Sequence, residues 1–225
     1  IAGPRILEHM VDVVLYFEGD SSRELRMLRG FKNRFGSTSE VGIFEMSENG
    51  LISANDVAGK FFTRGKAASG SAITITMEGS RALSVEIQAL VCESAYPKRS
   101  STGFDKNRLD MLLALLERKL EIPLGHYDVF INVSGGVKIG ETAADLAAVA
   151  AIISSFKNRP ISKESVFMGE LSLNGEIREI FNLDQRLKEA KTQKFKNAII
   201  PNKPLDTQGL KCFYAKDITQ VLEWM

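Results

Sequence analysis

The sequence predicts an α+β fold, and this prediction rests on three observations. Apolar, strand-like runs recur along the chain, including Leu83–Cys92 and Tyr127–Val133. Asn-Gly pairs follow such runs at Asn49-Gly50 and Asn174-Gly175, and this pair between apolar runs is a strong signal for a β-hairpin. Leucines recur at helical spacing over Lys106–Leu120. Strands joined by hairpins and interrupted by helices indicate a mixed fold.

The first third of the chain is predicted to consist of strands and turns. Val11–Phe17 is a nearly continuous apolar run, as expected of a strand that is covered on both faces. Further strands are predicted at Arg23–Leu28 and Val41–Met46, and the second turns through Asn49-Gly50. The small and polar stretch Gly65–Gly70 is interpreted as a linker.

Helices enter the pattern after the linker. The helix over Lys106–Leu120 is predicted to be capped by Asp105. An alanine-rich helix is predicted over Ala143–Phe156, with Thr142 and Asp145 at capping-box spacing. The other predicted elements are strands at Ala72–Met77, Leu83–Cys92, Tyr127–Val133 and Asn197–Ile200, a hairpin of Val166–Leu173 with Glu176–Ile180, a helix through Leu187 and Ala190, and a short helix capped by Asp217.

Composition places the chain among ordinary globular proteins. It has 225 residues, of which 44% are hydrophobic and 25% charged, with a net charge of +1. Any nucleic-acid-binding surface must therefore be local. Cys92 and Cys212 have no partner motif, which suits the reducing cytoplasm, and His9 and His126 lack companions at metal-ligand spacing, so no metal site is assigned. No apolar run is long enough to span a membrane. The chain starts at Ile1 without methionine, and we expect a fragment.

Three sequence stretches resemble bacterial RadA-type recombination and repair ATPases. The first is Leu7–Asp20, and the second is the pentapeptide Lys32-Asn33-Arg34-Phe35-Gly36, which is typical of that family. The third, Gly169–Ile177, resembles the hairpin of the Lon peptidase domain that these proteins carry at their C-terminus. The resemblance extends over essentially the whole chain.

The resemblance implies two domains and a motor function. Residues 1–66 would be the last strands of a RecA-like α/β ATPase core, and residues 67–225 a Lon-protease-like domain of the ribosomal-S5-like class. The parent protein would be a cytoplasmic, DNA-dependent ATPase that assembles as a hexameric ring and promotes branch migration in homologous recombination and DNA repair. Its implied partners are single-stranded and branched DNA and a RecA-type recombinase. ATP, Mg²⁺ and a zinc finger would belong mostly to segments upstream, so the chain alone is expected to bind no cofactor and to be inactive.

The Lys32-Asn33-Arg34 spacing is the main candidate for catalytic chemistry. In extended backbone, residues two apart project from the same face, so Lys32 and Arg34 would present two cations together. A γ-phosphate suits such a pair. The resemblance implies that the pair contacts ATP bound by the neighbouring subunit, with Asn33, Phe35 and Gly36 as motif residues. The alternative is a solvated cationic loop.

The Lon-like part is expected to lack peptidase activity. Lon peptidases use a serine nucleophile and a lysine base. By resemblance, the serine position holds Ala143 and the lysine position holds Asp184. Ser134 and Thr142 could be imagined as substitutes, but a turn and a helix cap explain them more simply. An ATP-dependent peptidase of Lon type and a purely structural oligomerisation module remain the alternative functions.

Two basic clusters are candidates for DNA contact. The first comprises Lys98, Arg99, Lys106 and Arg108, which flank Gly103-Phe104 and resemble the basic loop of the family. The second comprises Arg23, Arg26 and Arg29. Contacts to phosphates would be sequence-independent and salt-sensitive. The alternative for both clusters is solubility charge, and Phe104 could stack on a base or pack as a hydrophobic staple.

Overall fold

The computed structural model describes residues 4–18, 25–48, 50–53, 61–62 and 65–224. The chain divides into two compact units. Unit 1 comprises Ile1–Val57 with Met77–Arg81, and unit 2 comprises Ala58–Thr76 with Ala82–Met225. Helices and strands occur together in the described residues, and the largest sheet contains both parallel and antiparallel pairs. The predicted mixture of α and β structure is therefore confirmed.

Unit 1 contains a four-stranded antiparallel sheet with the order β1-β2-β3-β4. Its elements are α1 (Pro4–Met10), β1 (Val13–Glu18), β2 (Leu25–Asn33), β3 (Val41–Ser47) and β4 (Gly50–Ser53). The turn before β4 places Gly50 at φ +99°, a conformation that glycine adopts readily. The hairpin predicted at Asn49-Gly50 is therefore present, although Asn49 itself lies outside the described residues.

The sequence predicts that strand β1 is covered on both faces, but in the structure both of its faces are partly exposed. Val13, Leu15 and Phe17 are 41%, 55% and 54% exposed, and Tyr16 on the opposite face is 40% exposed. The described part of unit 1 has one sheet and one seven-residue helix, and β1 lies at the edge of that sheet. An apolar run alone cannot tell whether a second layer is present to cover it.

Unit 2 is built on a seven-stranded mixed sheet with the order β13-β12-β9-β5-β6-β8-β7. The pairs β13–β12, β12–β9 and β9–β5 are parallel. Strand β8 is antiparallel to β6, and β7 is parallel to β8. The strands are β5 (Ser71–Glu78), β6 (Arg81–Glu93), β7 (Arg99–Thr102), β8 (Tyr127–Val133), β9 (Ser165–Phe167), β12 (Asn197–Ile200) and β13 (Lys211–Tyr214).

In the part of unit 2 that the structure describes, the α-helices are α2 (Lys106–Leu120), α3 (Asp145–Lys157) and α4 (Leu183–Thr192). Helix α2 has the predicted bounds and the predicted cap, because the Asp105 Oδ1 accepts a hydrogen bond of 2.7 Å from the Arg108 backbone N–H. Its apolar stripe is buried at Leu109, Leu112, Leu113, Leu115 and Leu116.

The capping box predicted for α3 is wrong. A 3₁₀ turn, Thr142–Ala144, precedes the helix, and the Thr142 hydroxyl donates to Glu170 Oε2 at 2.5 Å instead of capping the helix. The Asp145 carboxylate is fully buried and turned toward Arg108. The Asp145 side chain therefore binds Arg108, which is distant in sequence, and does not take part in the cap that the local spacing predicted.

The predicted long hairpin around Asn174-Gly175 is much shorter in the structure. Only β10 (Glu170–Leu171) and β11 (Ile177–Arg178) pair across it, with Gly175 at φ +95°. The preceding apolar residues form β9, which pairs with β5 and β12 of the large sheet. The last described element is a 3₁₀ helix, Ile218–Trp224, whose first turn is capped as predicted because Asp217 Oδ1 accepts from the Thr219 N–H at 2.9 Å.

Candidate functional site

The Lys32–Gly36 loop at the end of β2 is shaped by Asn33. Its Oδ1 accepts a hydrogen bond of 3.0 Å from the Phe35 N–H, and its Nδ2 donates to the Ser37 carbonyl at 3.3 Å. A side chain at Gly36 would place its Cβ 3.3 Å from that same Nδ2. These contacts fix the turn through the asparagine side chain, and Phe35 remains 81% exposed beside it.

The two cations of this loop both contact the Glu8–Asp12 segment of unit 1. Lys32 Nζ donates to the Glu8 carbonyl at 2.8 Å. Arg34 Nη1 donates to Asp12 Oδ1 at 2.9 Å, and the Arg34 backbone N–H donates to the Asp12 carbonyl at 3.1 Å. The Arg34 and Asp12 side chains are 62% and 51% exposed. An ion pair with this much solvent exposure contributes only about 0–1 kcal/mol to stability. Arg34 can therefore exchange its partner at small cost.

The arginine cluster before this loop offers less to DNA than the sequence suggested. Arg29 is ion-paired with Glu78, a buried carboxylate of the same unit. Arg26 is half-buried, and Arg23 lies outside the described residues. Arg29 is thus engaged inside the protein.

Three of the four cations of the predicted basic loop are available at the surface. Lys98 is exposed, Arg99 is half-buried at the start of β7, and Lys106 is exposed in the first turn of α2. Lys106 Nζ pairs with Asp110 at 2.9 Å in an exposed i,i+4 contact. Among the described residues, no carboxylate lies within ion-pair distance of Lys98 or Arg99.

Arg108 is held inside unit 2. Its Nε donates to both carboxylate oxygens of Asp145 at 3.0 and 3.1 Å, and its Nη2 contacts Asp145 and donates to the Leu171 carbonyl at 2.6 Å. Burial raises the pKa of Asp145, while Arg108 and the Leu171 N–H oppose that shift. The hydrogen bond to Asp145 in turn raises the pKa of Arg108. Arg108 therefore joins α2 to the start of α3.

The two positions that the resemblance assigns to a Lon dyad, Ala143 and Asp184, hold neither a serine nor a lysine. Ala143 is buried in the 3₁₀ turn before α3, and its carbonyl accepts from the Gly169 N–H at 2.9 Å. Asp184 lies in the first turn of α4, where its Oδ1 is buried without a hydrogen-bond partner among the described residues. The positive end of the helix dipole favours a carboxylate there. A methyl group and a carboxylate provide neither nucleophilic hydroxyl nor amine base.

A buried ion pair that sequence reasoning missed lies next to both positions. Arg186, only 1% exposed, donates to Glu141 through Nη1 at 2.7 Å and through Nη2 at 2.5 Å. It also donates to the carbonyls of Ile75 at 2.5 Å and Phe181 at 2.9 Å. The pair ties the segment before Ala143 to helix α4. The partners are 45 residues apart, so no local pattern marks them.

A second missed cluster joins Ser71, Glu86 and Lys163. Lys163 Nζ donates to Ser71 Oγ at 2.7 Å, and Glu86 contacts both of these groups. The cluster borders a cavity of about 350 Å³. Serine and lysine are the residue types of a Lon-like dyad, but Lys163 is ion-paired with Glu86. The Lys163 side chain is therefore shared between Ser71 and the carboxylate of Glu86.

The described ranges contain neither a metal-binding cluster nor a membrane-spanning helix. No group of three or more His, Cys, Asp or Glu side chains within those ranges is placed to hold a metal ion. No helix among them has the length and apolarity needed to cross a membrane.

Comparison with known proteins identifies the family. The chain is 78% identical, over all 225 residues, to the DNA repair protein RadA of Campylobacter jejuni, covering 100% of this chain and 50% of that protein. It is 61% identical over 227 residues to the RadA of Helicobacter pylori, covering 100% of the chain and 51% of that protein. The chain belongs to the RadA family. The resemblance inferred from the sequence is thereby confirmed.

More distant RadA relatives match over nearly the same span. The RadA of Bacillus subtilis is 48% identical over 209 residues, covering 92% of the chain and 46% of that protein. The chain spans about half the length of the RadA relatives it matches. A family model described as subunit ChlI of Mg-chelatase matches residues 100–204, which all lie in unit 2.

Proposed function

We propose that this chain is part of a DNA-dependent ATPase of homologous recombination and DNA repair that promotes branch migration as a hexameric ring. The proposal is supported by the family, whose named members are DNA repair proteins. The observation that carries the motor assignment is the loop in which Asn33 fixes the turn between Lys32 and Arg34. ATP, Mg²⁺, a zinc finger, a RecA-type recombinase and branched DNA would belong to the parent protein.

Residues 1–66, which include most of unit 1, would supply the last strands of a RecA-like core. Their exposed apolar side chains support this assignment, because Val13, Leu15 and Phe17 would be covered by a larger sheet and its helices. Lys32 and Arg34 would then contact ATP bound by the neighbouring subunit, and Asn33, Phe35 and Gly36 would shape their loop.

The loop residues fit a triphosphate. Arg34 presents a guanidinium fork suited to phosphate oxygens, and Lys32 a compact ammonium. Their present partners are an exposed carboxylate, Asp12, and a backbone carbonyl, that of Glu8. The Arg34–Asp12 contact can be exchanged for a more highly charged anion, because exposed ion pairs contribute little to stability. The Arg34 cation would stabilise charge that develops during hydrolysis.

Unit 2 would be a Lon-like scaffold that binds DNA and does not cleave peptides. Lys98, Arg99 and Lys106 would neutralise phosphates without reading sequence. Arg108 would act differently from the other three, as the partner that keeps Asp145 in place. Ala143 and Asp184 at the dyad positions support the absence of peptidase activity.

The test uses the full-length protein. We expect single-stranded DNA to stimulate its ATP hydrolysis and expect it to extend joint molecules in a three-strand exchange reaction. ATP hydrolysis without any response to DNA would overturn the motor proposal. DNA binding that persists in a stable oligomer without ATP hydrolysis would instead support a structural oligomerisation module, and cleavage of casein would support the peptidase.

A further inference from the structure

Tyr96 lies on the loop between β6 and β7 with its side chain directed into solvent. It is 84% exposed, whereas Phe104, the aromatic residue that the sequence suggested for base stacking, is buried at 7% exposure. The carbonyl of Phe104 also accepts a hydrogen bond from the Ser101 hydroxyl. Phe104 is therefore part of the core, whereas Tyr96 exposes its ring at the surface.

The backbone on both sides of Tyr96 is fixed by hydrogen bonds. The Ser94 N–H donates to the His126 carbonyl at 3.0 Å, and the Tyr96 N–H donates to Ser94 Oγ at 3.3 Å. On the other side, the Lys98 N–H donates to Asp128 Oδ1 at 2.6 Å. Tyrosine has few rotatable bonds, so a ring on such a loop loses little conformational entropy on binding.

The residue after Tyr96 restricts it further. Pro97 disfavours the helical conformation of the residue before it. The backbone conformations open to Tyr96 are therefore fewer than those of a residue not followed by proline.

Two cations follow Tyr96 within three residues. Lys98 is exposed and Arg99 is half-buried. The carboxylate of Asp128 accepts from the Lys98 backbone N–H. Within the described residues, neither the Lys98 nor the Arg99 side chain forms an ion pair.

An exposed aromatic ring followed by two cations suits single-stranded DNA. Every base has a π-face on which a ring can stack, so the contact tolerates any sequence, while the cations follow the phosphates. Bases in a duplex are already stacked on one another and cannot accept the ring. The arrangement thus favours single strands over duplexes.

We propose that Tyr96 stacks on an unpaired base and forms, with Lys98 and Arg99, a binding site for single-stranded DNA. This inference rests on the proposed DNA-binding function of unit 2. It adds to that function a residue that selects single strands, which the cations alone cannot do because phosphates are present in both forms of DNA.

The experiment compares Tyr96→Leu with Tyr96→Phe in the full-length protein. Leucine removes the ring but keeps apolar bulk, and phenylalanine keeps the ring. Each variant is titrated with a single-stranded oligonucleotide, with the same strand carrying a run of abasic sites, and with the duplex. We expect Tyr96→Leu to weaken binding of the intact single strand about 5- to 100-fold, the range that stacking on one base supports.

The other titrations separate stacking from its alternatives. Tyr96→Phe should bind like the wild type, and on the abasic strand the wild type and Tyr96→Leu should bind equally. The salt slope should be unchanged in Tyr96→Leu, whereas Lys98→Ala should make it shallower. An equal loss of affinity for the intact and the abasic strands, which disruption of the hexamer would give, contradicts the inference. Wild-type affinity of Tyr96→Leu for the intact strand contradicts it as well. A wild-type protein that binds no DNA would overturn the proposed function as well.

Discussion

The guanidinium of Arg108 holds the fully buried carboxylate of Asp145 across 37 residues of sequence. Arg108 lies in the first turn of α2, and Asp145 is the first residue of α3. Leu171 adds its N–H to the carboxylate at 3.0 Å and its carbonyl to Arg108. One ion pair thus fixes two helices and the β10 hairpin, and its removal has measurable consequences.

Arg108→Met should destabilise the chain by about 3–5 kcal/mol, because it leaves a buried carboxylate without its cation. Urea unfolding measures the loss. The double variant Arg108→Met, Asp145→Leu should recover a large part of it, since neither charge remains. As a matched control, Lys106→Ala in the same turn should cost less than about 0.5 kcal/mol. A single variant as stable as the wild type would contradict the assigned role.

The same variant should show a defined pH dependence. Burial raises the pKa of Asp145 above its ordinary value of 3.8, and Arg108 opposes that rise. In Arg108→Met this opposing cation is absent. A carboxyl group whose pKa is higher in the folded than in the unfolded protein contributes most to stability at a pH below its pKa in the unfolded protein. This contribution is lost as the pH rises through its pKa in the folded protein. The deficit of Arg108→Met should therefore grow from about pH 4 toward neutrality. A deficit that shrinks over that range would show that Asp145 is not its source.

Lys32→Ala and Arg34→Ala should each lower DNA-stimulated ATP hydrolysis by the full-length protein while nucleotide binding persists. A cation that acts on the transition state affects turnover more than ground-state affinity. The effect of an arginine finger reaches about a thousandfold or more. Asp12→Asn is the matched control, because it removes the present partner of Arg34 but leaves the cation.

Mixing experiments test whether the pair acts across subunits. Arg34→Ala subunits mixed with subunits defective in their own phosphate loop should recover part of the activity, because some interfaces then combine an intact nucleotide site with an intact pair. No recovery at any ratio would argue against the assignment in trans.

Lys98→Ala, Arg99→Ala and Lys106→Ala combined should weaken DNA binding equally for unrelated sequences. Each lost phosphate contact should make the log–log salt slope shallower by about one unit. Lys196→Ala, which removes an exposed lysine paired with Glu164 on another part of the surface, is the matched control. If DNA affinity and salt slope are unchanged in an oligomer of unchanged mass, the loop is solvated surface that does not contact DNA.

The protein should not react with serine-directed covalent probes or cleave casein. Lys163 is paired with Glu86, so Ser71 has no free amine beside it. The Thr142 hydroxyl is engaged with Glu170. Restoring serine alone with Ala143→Ser should produce no activity, because Asp184 stands where the lysine would be. Probe labelling that disappears in Ser71→Ala, Ser134→Ala or Thr142→Ala would refute this prediction.

Local patterns along the chain determine much of this protein. The bounds of α2, its Asp105 cap and the strand Tyr127–Val133 follow from side-chain periodicity and capping, which depend on neighbours within a few residues. The Lys32–Gly36 loop could also be found from the sequence, because its hydrogen bonds join Asn33 to residues two and four positions away.

Only the tertiary structure decided which cations and apolar side chains are exposed. Lys98 and Arg108 belong to one basic cluster in the sequence, yet one faces solvent and the other is bound to Asp145, 37 residues away. Arg186 and Lys163 likewise find carboxylates 45 and 77 residues distant. The sequence alone determined the start of α2 and shows which residues carry charge. Which charges are buried depends on long-range packing, because a buried ion needs a partner that only the folded sheet brings within reach.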